Sequence, residues 1–182
     1  MKITPMVGND NTMFLEDIDR REMNFINFSG KDSRGFGKKN PTFGVRLTEE
    51  EAAYLSDLGW PVSYSKPKED HPEWESRPYI VVTLYENNKN LKVVVITDGK
   101  QKRQSNDNLE ALDSLRIGSI SCQINKFPWE RNGMSGVKIA SNLVYITALK
   151  NYLAEKYADY PDVDEDETEA QDLDITSDPL PF

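Results

Sequence analysis

The chain has 182 residues, 31 of them acidic and 22 basic, which gives a formal net charge of −9. Its mean hydropathy is −0.66, and no apolar run approaches the ~20 residues that a membrane-spanning helix requires. The first eleven residues lack the apolar segment of a signal peptide. These features exclude a helical membrane protein and predict a soluble protein that stays in the cytoplasm.

Cysteine and histidine occur once each, as Cys122 and His71. An internal disulfide is therefore excluded, and so is a zinc site built from cysteine and histidine. His71 lies in the polar segment KPKEDHPEWESRP, which indicates a solvated loop. Carboxylate-only magnesium sites remain open, but the sequence contains no set of nucleophile, base and acid and no nucleotide-binding loop. We therefore expect neither an enzyme nor a bound cofactor.

The first quarter of the chain predicts a flexible terminus, a divided strand and a basic loop. Residues 1–11 are expected to be loosely attached, and the domain proper is expected to span residues 12–158. Apolar patterns in 22–28 and 42–47 predict the two halves of the first principal strand. The loop 29–40 is either a flexible hairpin tip or a cationic arm for a phosphate backbone. Its candidate residues are Lys31, Arg34, Phe36, Lys38 and Lys39.

The middle of the chain predicts a helix and two strands. Residues 48–58 have the capping box and the apolar stripe of a short helix. A polar, proline-rich loop leads to strands at 79–86 and 91–97, which are predicted to pair as a hairpin. One face of the first of these strands is core. The other face carries Tyr79 and Tyr85, which is unusual for a solvated face.

The remaining body predicts a basic turn at 98–104, a helix at 106–115 and strands at 118–127 and 137–147. The last two strands are expected to be joined by a hairpin loop, 128–136. Alternation places Cys122 on the core side as a small buried hydrophobe. The basic and aromatic candidates in this part are Lys100, Lys102, Arg103, Lys126, Phe127, Trp129, Arg131 and Lys138.

Short strands separated by turn signals point to a small barrel. A helix between the third and fourth principal strands is the arrangement of an OB-fold. We therefore predict a mainly β protein, a five-stranded OB-fold barrel with two short helices. In that fold the face of the second and third strands and two of the loops bind oligonucleotides.

The C-terminal segment 159–182 carries ten acidic residues and no base, so the remaining 21 acids and 22 bases leave the body at +1. Such a segment is too polar to bury a core and is expected to be disordered. Its ending joins an aromatic ring to a free carboxylate, which suits capture by a partner's pocket. The alternative is a tail that only improves solubility. The candidate partner-binding residues are Asp178, Pro179, Leu180, Pro181 and Phe182.

This ending resembles the C-terminal tip of bacterial and phage single-stranded DNA-binding proteins. The body, roughly residues 25–160, resembles the OB-fold single-stranded DNA-binding proteins of tailed bacteriophages. The resemblance implies binding and protection of single-stranded DNA in phage replication, recombination and repair, in the cytoplasm of the infected bacterium. It also implies that the tail recruits partner proteins. The matching pieces are FINFSGK (25–31), GWPV (59–62), VVIT (94–97), WERNG (129–133) and SGVK (135–138).

Binding to a single strand requires a cationic groove for the backbone and aromatic faces on which bases stack. Bases and rings alternate in several segments of the chain, and one of these segments adds Arg46 to the basic candidates. Each ring could instead belong to the core, and we assign Phe25, Phe28 and Tyr145 to it. The stacking candidates are Tyr79, Tyr85, Phe127 and Trp129, with Phe36 and Phe43 as second choices.

Two interaction functions remain as alternatives. The chain could be an adaptor that uses its acidic tail, or a DNA mimic that blocks a host enzyme. A mimic presents its acids on a rigid body, whereas the acids here are concentrated in one terminal segment. Binding of labelled oligo-dT distinguishes these alternatives from a single-stranded DNA-binding protein.

Overall fold

Ten β-strands, one α-helix and two 3₁₀ helices occupy residues 1–32, 37–67 and 75–150, the ranges that the computed structural model describes. The predictions for Arg34, Phe36 and His71 lie outside these ranges, and so do those for the tail 159–182 and its last five residues. Within the described ranges no helix has the length and apolar content needed to cross a membrane.

The strands are numbered in chain order. They are β1 (Lys2–Met6), β2 (Asn9–Asp19), β3 (Met23–Asn27), β4 (Thr42–Arg46), β5 (Ser63–Tyr64), β6 (Pro78–Thr83), β7 (Lys92–Thr97), β8 (Lys100–Gln104), β9 (Ile117–Arg131) and β10 (Met134–Ala148). The α-helix, α1, spans Glu49–Asp57, and the 3₁₀ helices span Arg20–Glu22 and Asn106–Ser114.

All ten strands belong to one sheet, whose main path runs β1-β2-β9-β10-β6-β4-β3. β5 pairs with β6, while β7 pairs with β10 and carries β8 on its other side. The prediction of a mainly β chain with helices near residues 48–58 and 106–115 is confirmed. In the described residues the end strands β1 and β3 do not pair with each other, so the sheet is open. A closed five-stranded barrel is therefore not confirmed.

The predicted hairpin of residues 79–86 and 91–97 is wrong. β6 and β7 both run parallel to β10, the first beside Ile139–Ala140 and the second beside Leu143–Thr147. Between them the chain closes two tight turns, with hydrogen bonds from Asn88 N to Tyr85 O and from Leu91 N to Asn88 O. The two strands therefore lie end to end along β10, where the buried side chains of both join one core.

Three further segments differ from the prediction. Residues 1–11, expected to be flexible, form β1 and the start of β2, and β2 pairs with β9. The two halves of the predicted first strand are separate antiparallel neighbours, β3 and β4. The basic turn expected at 98–104 is limited to Asp98 and Gly99, both of which have positive φ, and the rest forms β8 against β7.

The helix α1 begins as predicted. The Thr48 Oγ1 atom accepts a hydrogen bond from Glu51 N at 3.2 Å, and Glu51 Oε2 accepts one from Thr48 N at 2.8 Å. This pair completes a capping box. Ala52 and Leu55 on its inner side are fully buried, and Trp60, just beyond its C-terminal end, packs into the same core.

The inward face of β9 also matches the alternation predicted for it. Ile120 and Ile124 are fully buried, and Cys122 between them is almost so. Burial removes the hydration that a thiolate requires and raises the pKa of Cys122 to about 12. The thiol is therefore a core residue.

Candidate nucleic-acid interface

Side chains alternate along β6 between the core and an outer face. Ile80 and Val82 are fully buried, whereas Val81 is 39% exposed. Tyr79 and Tyr85 lie half-buried at the two ends of the outer face. They are six residues apart, which corresponds to about 20 Å of extended chain. The division into a core face and an aromatic outer face is as predicted.

Neighbouring strands extend this outer face, because directly paired residues point to the same side of a sheet. Tyr79 lies opposite Arg46 of β4. β10 runs beside β6, and its Lys138 lies opposite Phe127 of β9. The outer face of β6 is thus flanked by cations on both sides.

An aromatic pair occupies one end of the face. The ring centroids of Tyr85 and Phe127 are 5.5 Å apart, and the ring planes are tilted by 44°. The Phe127 side chain comes from β9 and is 48% exposed. A tilted and half-exposed pair leaves ring faces accessible to a flat ligand.

A second aromatic pair lies at the other end of the face and includes a ring that was assigned to the core. Phe25 is 65% exposed, and its ring centroid lies 5.5 Å from that of Tyr79. Its φ is +48°, and the pairing of β3 with β4 is irregular between Asn24 and Asn27. Regular alternation would place Phe25 on the same side as buried Met23, which is why the core assignment was wrong. No sequence signal marks this irregularity.

The Phe25–Tyr79 pair borders an open groove of about 950 Å³. Four cationic side chains line it and are opposed by one acidic residue among the described lining residues, Glu75. Of this lining, only Tyr79 and Arg46 were among the candidates from the sequence. The cations are Arg20, Arg46, Lys66 and Arg77.

The loop predicted at 128–136 is instead the end of a long two-stranded arm. β9 and β10 pair continuously from Lys126 and Ile139 to the turn at Asn132–Gly133. β2 pairs with β9 only as far as Asn125. On the other side of the arm, β6 pairs with β10 only as far as Ile139. Five residue pairs, from Phe127–Lys138 to Arg131–Met134, therefore extend beyond both neighbouring strands, which corresponds to about 17 Å.

Trp129 lies on this arm and carries a cation near its ring. A Cβ at Gly136, directly opposite, would lie 2.9 Å from Trp129 Nε1, so the ring lies flat over the glycine. The Lys138 Nζ atom lies 5.7 Å from the ring centroid, within cation–π distance. Phe127, Trp129 and Arg131 occupy every second position of β9, so they share one side of the arm and continue the outer face.

The structure places two of the candidates on the core side of the sheet. Phe43 is fully buried, with its ring centroid 6.2 Å from that of Phe28, so it is unavailable for stacking. Lys126 is paired with Ile139 on the core side of the sheet. Its ammonium donates to the carbonyl oxygen of Leu58 at 2.5 Å and lies 5.3 Å from the Trp60 ring centroid. Strand alternation explains both cases, because each residue stands at a position whose side chain points to the inward side of its strand.

The other basic candidates are distributed over two edges. Lys38 forms an ion pair with Glu86 at 3.0 Å and Lys39 with Asp32 at 2.5 Å, while Lys31 is exposed beside them at the β3–β4 connection. On β8 adjacent residues point to opposite sides of the sheet. The structure thus does not bring the three bases of β8 together on one face. These are Lys100, Lys102 and Arg103.

Three solved structures of bacteriophage proteins align with the chain. The single-stranded DNA-binding protein of bacteriophage Enc34 in complex with ssDNA aligns with a TM-score of 0.47 and 9% identity, over 82% of this chain and 97% of that one. A second structure of the single-stranded DNA-binding protein of bacteriophage Enc34 aligns with a TM-score of 0.43 and 10% identity, over 80% of this chain and 89% of that one. Gp2.5, a single-stranded DNA-binding protein encoded by bacteriophage T7, gives 0.34 and 13%, over 90% and 97%.

No curated protein matches the chain. A family model does, under the description "Putative phage ssDNA-binding domain", and its match runs from residue 8 to residue 180. This range is nearly the whole of the 182 residues. The chain therefore belongs to the family of phage ssDNA-binding domains.

Proposed function

We propose that the chain binds single-stranded DNA without sequence preference and protects it during phage replication, recombination and repair. The observation that carries this proposal is the outer face of β6, with an aromatic pair at each end and cations on both sides. Base–aromatic stacking contributes about 1–3 kcal/mol per base, and it tolerates every sequence because each base has a π-face.

The contacts divide into two kinds. Rings along the face and the arm would stack on bases, and exposed cations beside them would neutralise phosphates. Duplex DNA keeps its bases stacked inside the helix, so rings lying on a sheet reach them only in a single strand. The proposed stacking residues are Tyr79, Tyr85, Phe127 and Trp129. The proposed phosphate-contacting residues are Lys31, Arg46, Arg131 and Lys138.

The tail is proposed to recruit partner proteins of replication and repair through its terminal ring and carboxylate. We further propose that the chain acts as a binding protein without catalysis, in the cytoplasm of the infected bacterium. The mode of binding would be that of OB-folds, in which one sheet face and its adjoining loops hold the strand.

The adaptor and DNA-mimic functions are less well supported, because both leave the ring-bearing outer face without a role. The test is binding of fluorescently labelled dT oligomers over a salt series, with a duplex of the same length as control. We expect binding that weakens as salt rises, because each neutralised phosphate releases counterions. Affinity that is equal at low and high salt, or equal for the duplex, would reject the proposal.

A further inference from the structure

We propose that the groove beside Phe25 is a second nucleotide-binding site, continuous with the β6 face through Tyr79. It would take an unpaired base against the Phe25 ring, with the flanking phosphates among the groove's cations. The inference rests on the proposed single-stranded DNA binding. It adds Phe25, Arg20, Lys66 and Arg77 to the DNA-binding candidates that the sequence singled out.

The conformation of Phe25 is the first reason. Residues other than glycine, asparagine and aspartate rarely adopt a φ near +48°. The ring is 65% exposed, so core packing does not compensate for this strain. A residue selected only for stability at such a position would be glycine or asparagine. Strained backbone that presents an exposed ring is typical of binding sites.

Charge is the second reason. Among the described residues, four cations and one acid line the groove. In the described part of the chain none of the four cations forms an ion pair, so their charge is available to an anionic ligand. Arg46 is directly opposite Tyr79 in the strand register. A cation therefore lies next to an aromatic ring, as stacking of a base beside its own phosphate requires.

The shape of the groove selects the ligand. A volume of about 950 Å³ lies at the upper end of the range for small-ligand sites and leaves room for more than a bare phosphate. The Phe25 and Tyr79 rings are tilted by 58°, which leaves ring faces free for a base. Because Tyr79 borders both the groove and the β6 face, one strand can occupy both without turning back.

Substitutions at Phe25 test the ring separately from the backbone. Phe25→Ala removes the ring and keeps the strained backbone, whereas Phe25→Gly removes the ring and relieves the strain. Both should weaken binding of a long dT oligomer about tenfold, within the range for one lost stack. Phe25→Gly should melt at the same temperature as the wild type or higher. Phe25→Trp should keep the affinity of the wild type, because it replaces the ring by a larger one.

Cation substitutions give a different signature. The slope of log affinity against log salt is negative. Arg20→Gln and Arg77→Gln should each reduce its magnitude by about 0.7, the value for one phosphate of a single strand. Phe25→Ala should leave that slope unchanged. Tyr54→Ala, an exposed ring on α1, and Arg116→Gln, an exposed cation preceding β9, are the matched controls. Neither control should change the affinity or the slope.

The outcomes separate this inference from the proposed function. Failure of the wild-type chain to bind dT at any salt would reject both. Normal binding by the wild type together with unchanged affinity for Phe25→Gly and an unchanged slope for Arg77→Gln would reject the groove alone. Ultraviolet crosslinking of a dT oligomer, followed by peptide mass spectrometry, should yield a crosslink in the peptide containing Phe25. A crosslink pattern that includes Tyr85 and Phe127 but excludes Phe25 would also reject the groove.

Discussion

Replacing two phenylalanines of this chain by alanine should separate stability from DNA binding: one replacement mainly lowers the stability, and the other mainly lowers the DNA affinity. Phe127 is 48% exposed and contacts the Tyr85 ring, whereas Phe43 is fully buried against Phe28. Phe127→Ala should cost about 0.5–1.5 kcal/mol of unfolding free energy, the contribution of one aromatic pair. Phe43→Ala should cost about 3–5 kcal/mol, because it leaves a cavity. For a body of this size that loss lowers the melting temperature by roughly 6–20 °C.

DNA affinity should show the reverse order. Phe127→Ala should weaken dT binding by about 1–3 kcal/mol, or roughly 5- to 150-fold. Phe43→Ala should bind like the wild type at temperatures where it is folded. Fluorescence anisotropy with labelled dT and thermal denaturation by circular dichroism measure the two quantities. Unchanged affinity in Phe127→Ala, or a loss of affinity in folded Phe43→Ala, would refute the assignment of the outer face.

Three other predictions follow from the arm, the core and the tail. Trp129→Ala should weaken dT binding with little change in melting temperature, because the ring lies over Gly136 on the arm; a large thermal loss with intact binding would return it to the core. Cys122, with its pKa at about 12, has a thiolate fraction at pH 8 about a thousandfold below that of a thiol at the ordinary value of 9.0. It should react with Ellman's reagent only in denaturant, and fast reaction of the native chain would contradict its burial. Removing residues 159–182 should strengthen dT binding most at low salt, if its ten acids compete with DNA for the cations; removing Phe182 alone should leave affinity unchanged, and weaker binding without the tail would reject competition.

Local chemistry explains which elements could be predicted. The capping box of α1 is contained within four residues, so the sequence alone locates the start of the helix. Period-two alternation correctly assigned the two faces of β6 and the inward side of β9. Each of these features depends only on residues close together in the chain.

Pairing is where prediction failed, because strand partners are chosen by contacts far apart in sequence. β6 and β7 have the apolar pattern of a hairpin, but both pair with β10 instead of with each other. Residues 1–11 resemble a loose end in the sequence, but residues 2–6 pair with β2, and β2 pairs with β9, more than a hundred positions away. Neither outcome can be derived from a window of ten residues.

The sequence predicted the residues of the candidate site where the strand alternation is regular and missed the one residue where it is not. Tyr79 and Phe127 lie on strands whose alternation is unbroken near them, and Tyr85 follows β6 in the same alternation. The structure brings the three rings to one face. Phe25 lies in the one irregular step of β3, where φ is positive and the parity of the strand changes. The irregularity that hid Phe25 from sequence analysis is also what turns its ring outward. A regular strand would have buried the ring with Met23, and Tyr79 would be the one aromatic ring left among the described residues that line the groove. Regular strands thus build the ~20 Å platform, and the strained step adds a feature that the stability of the fold does not require.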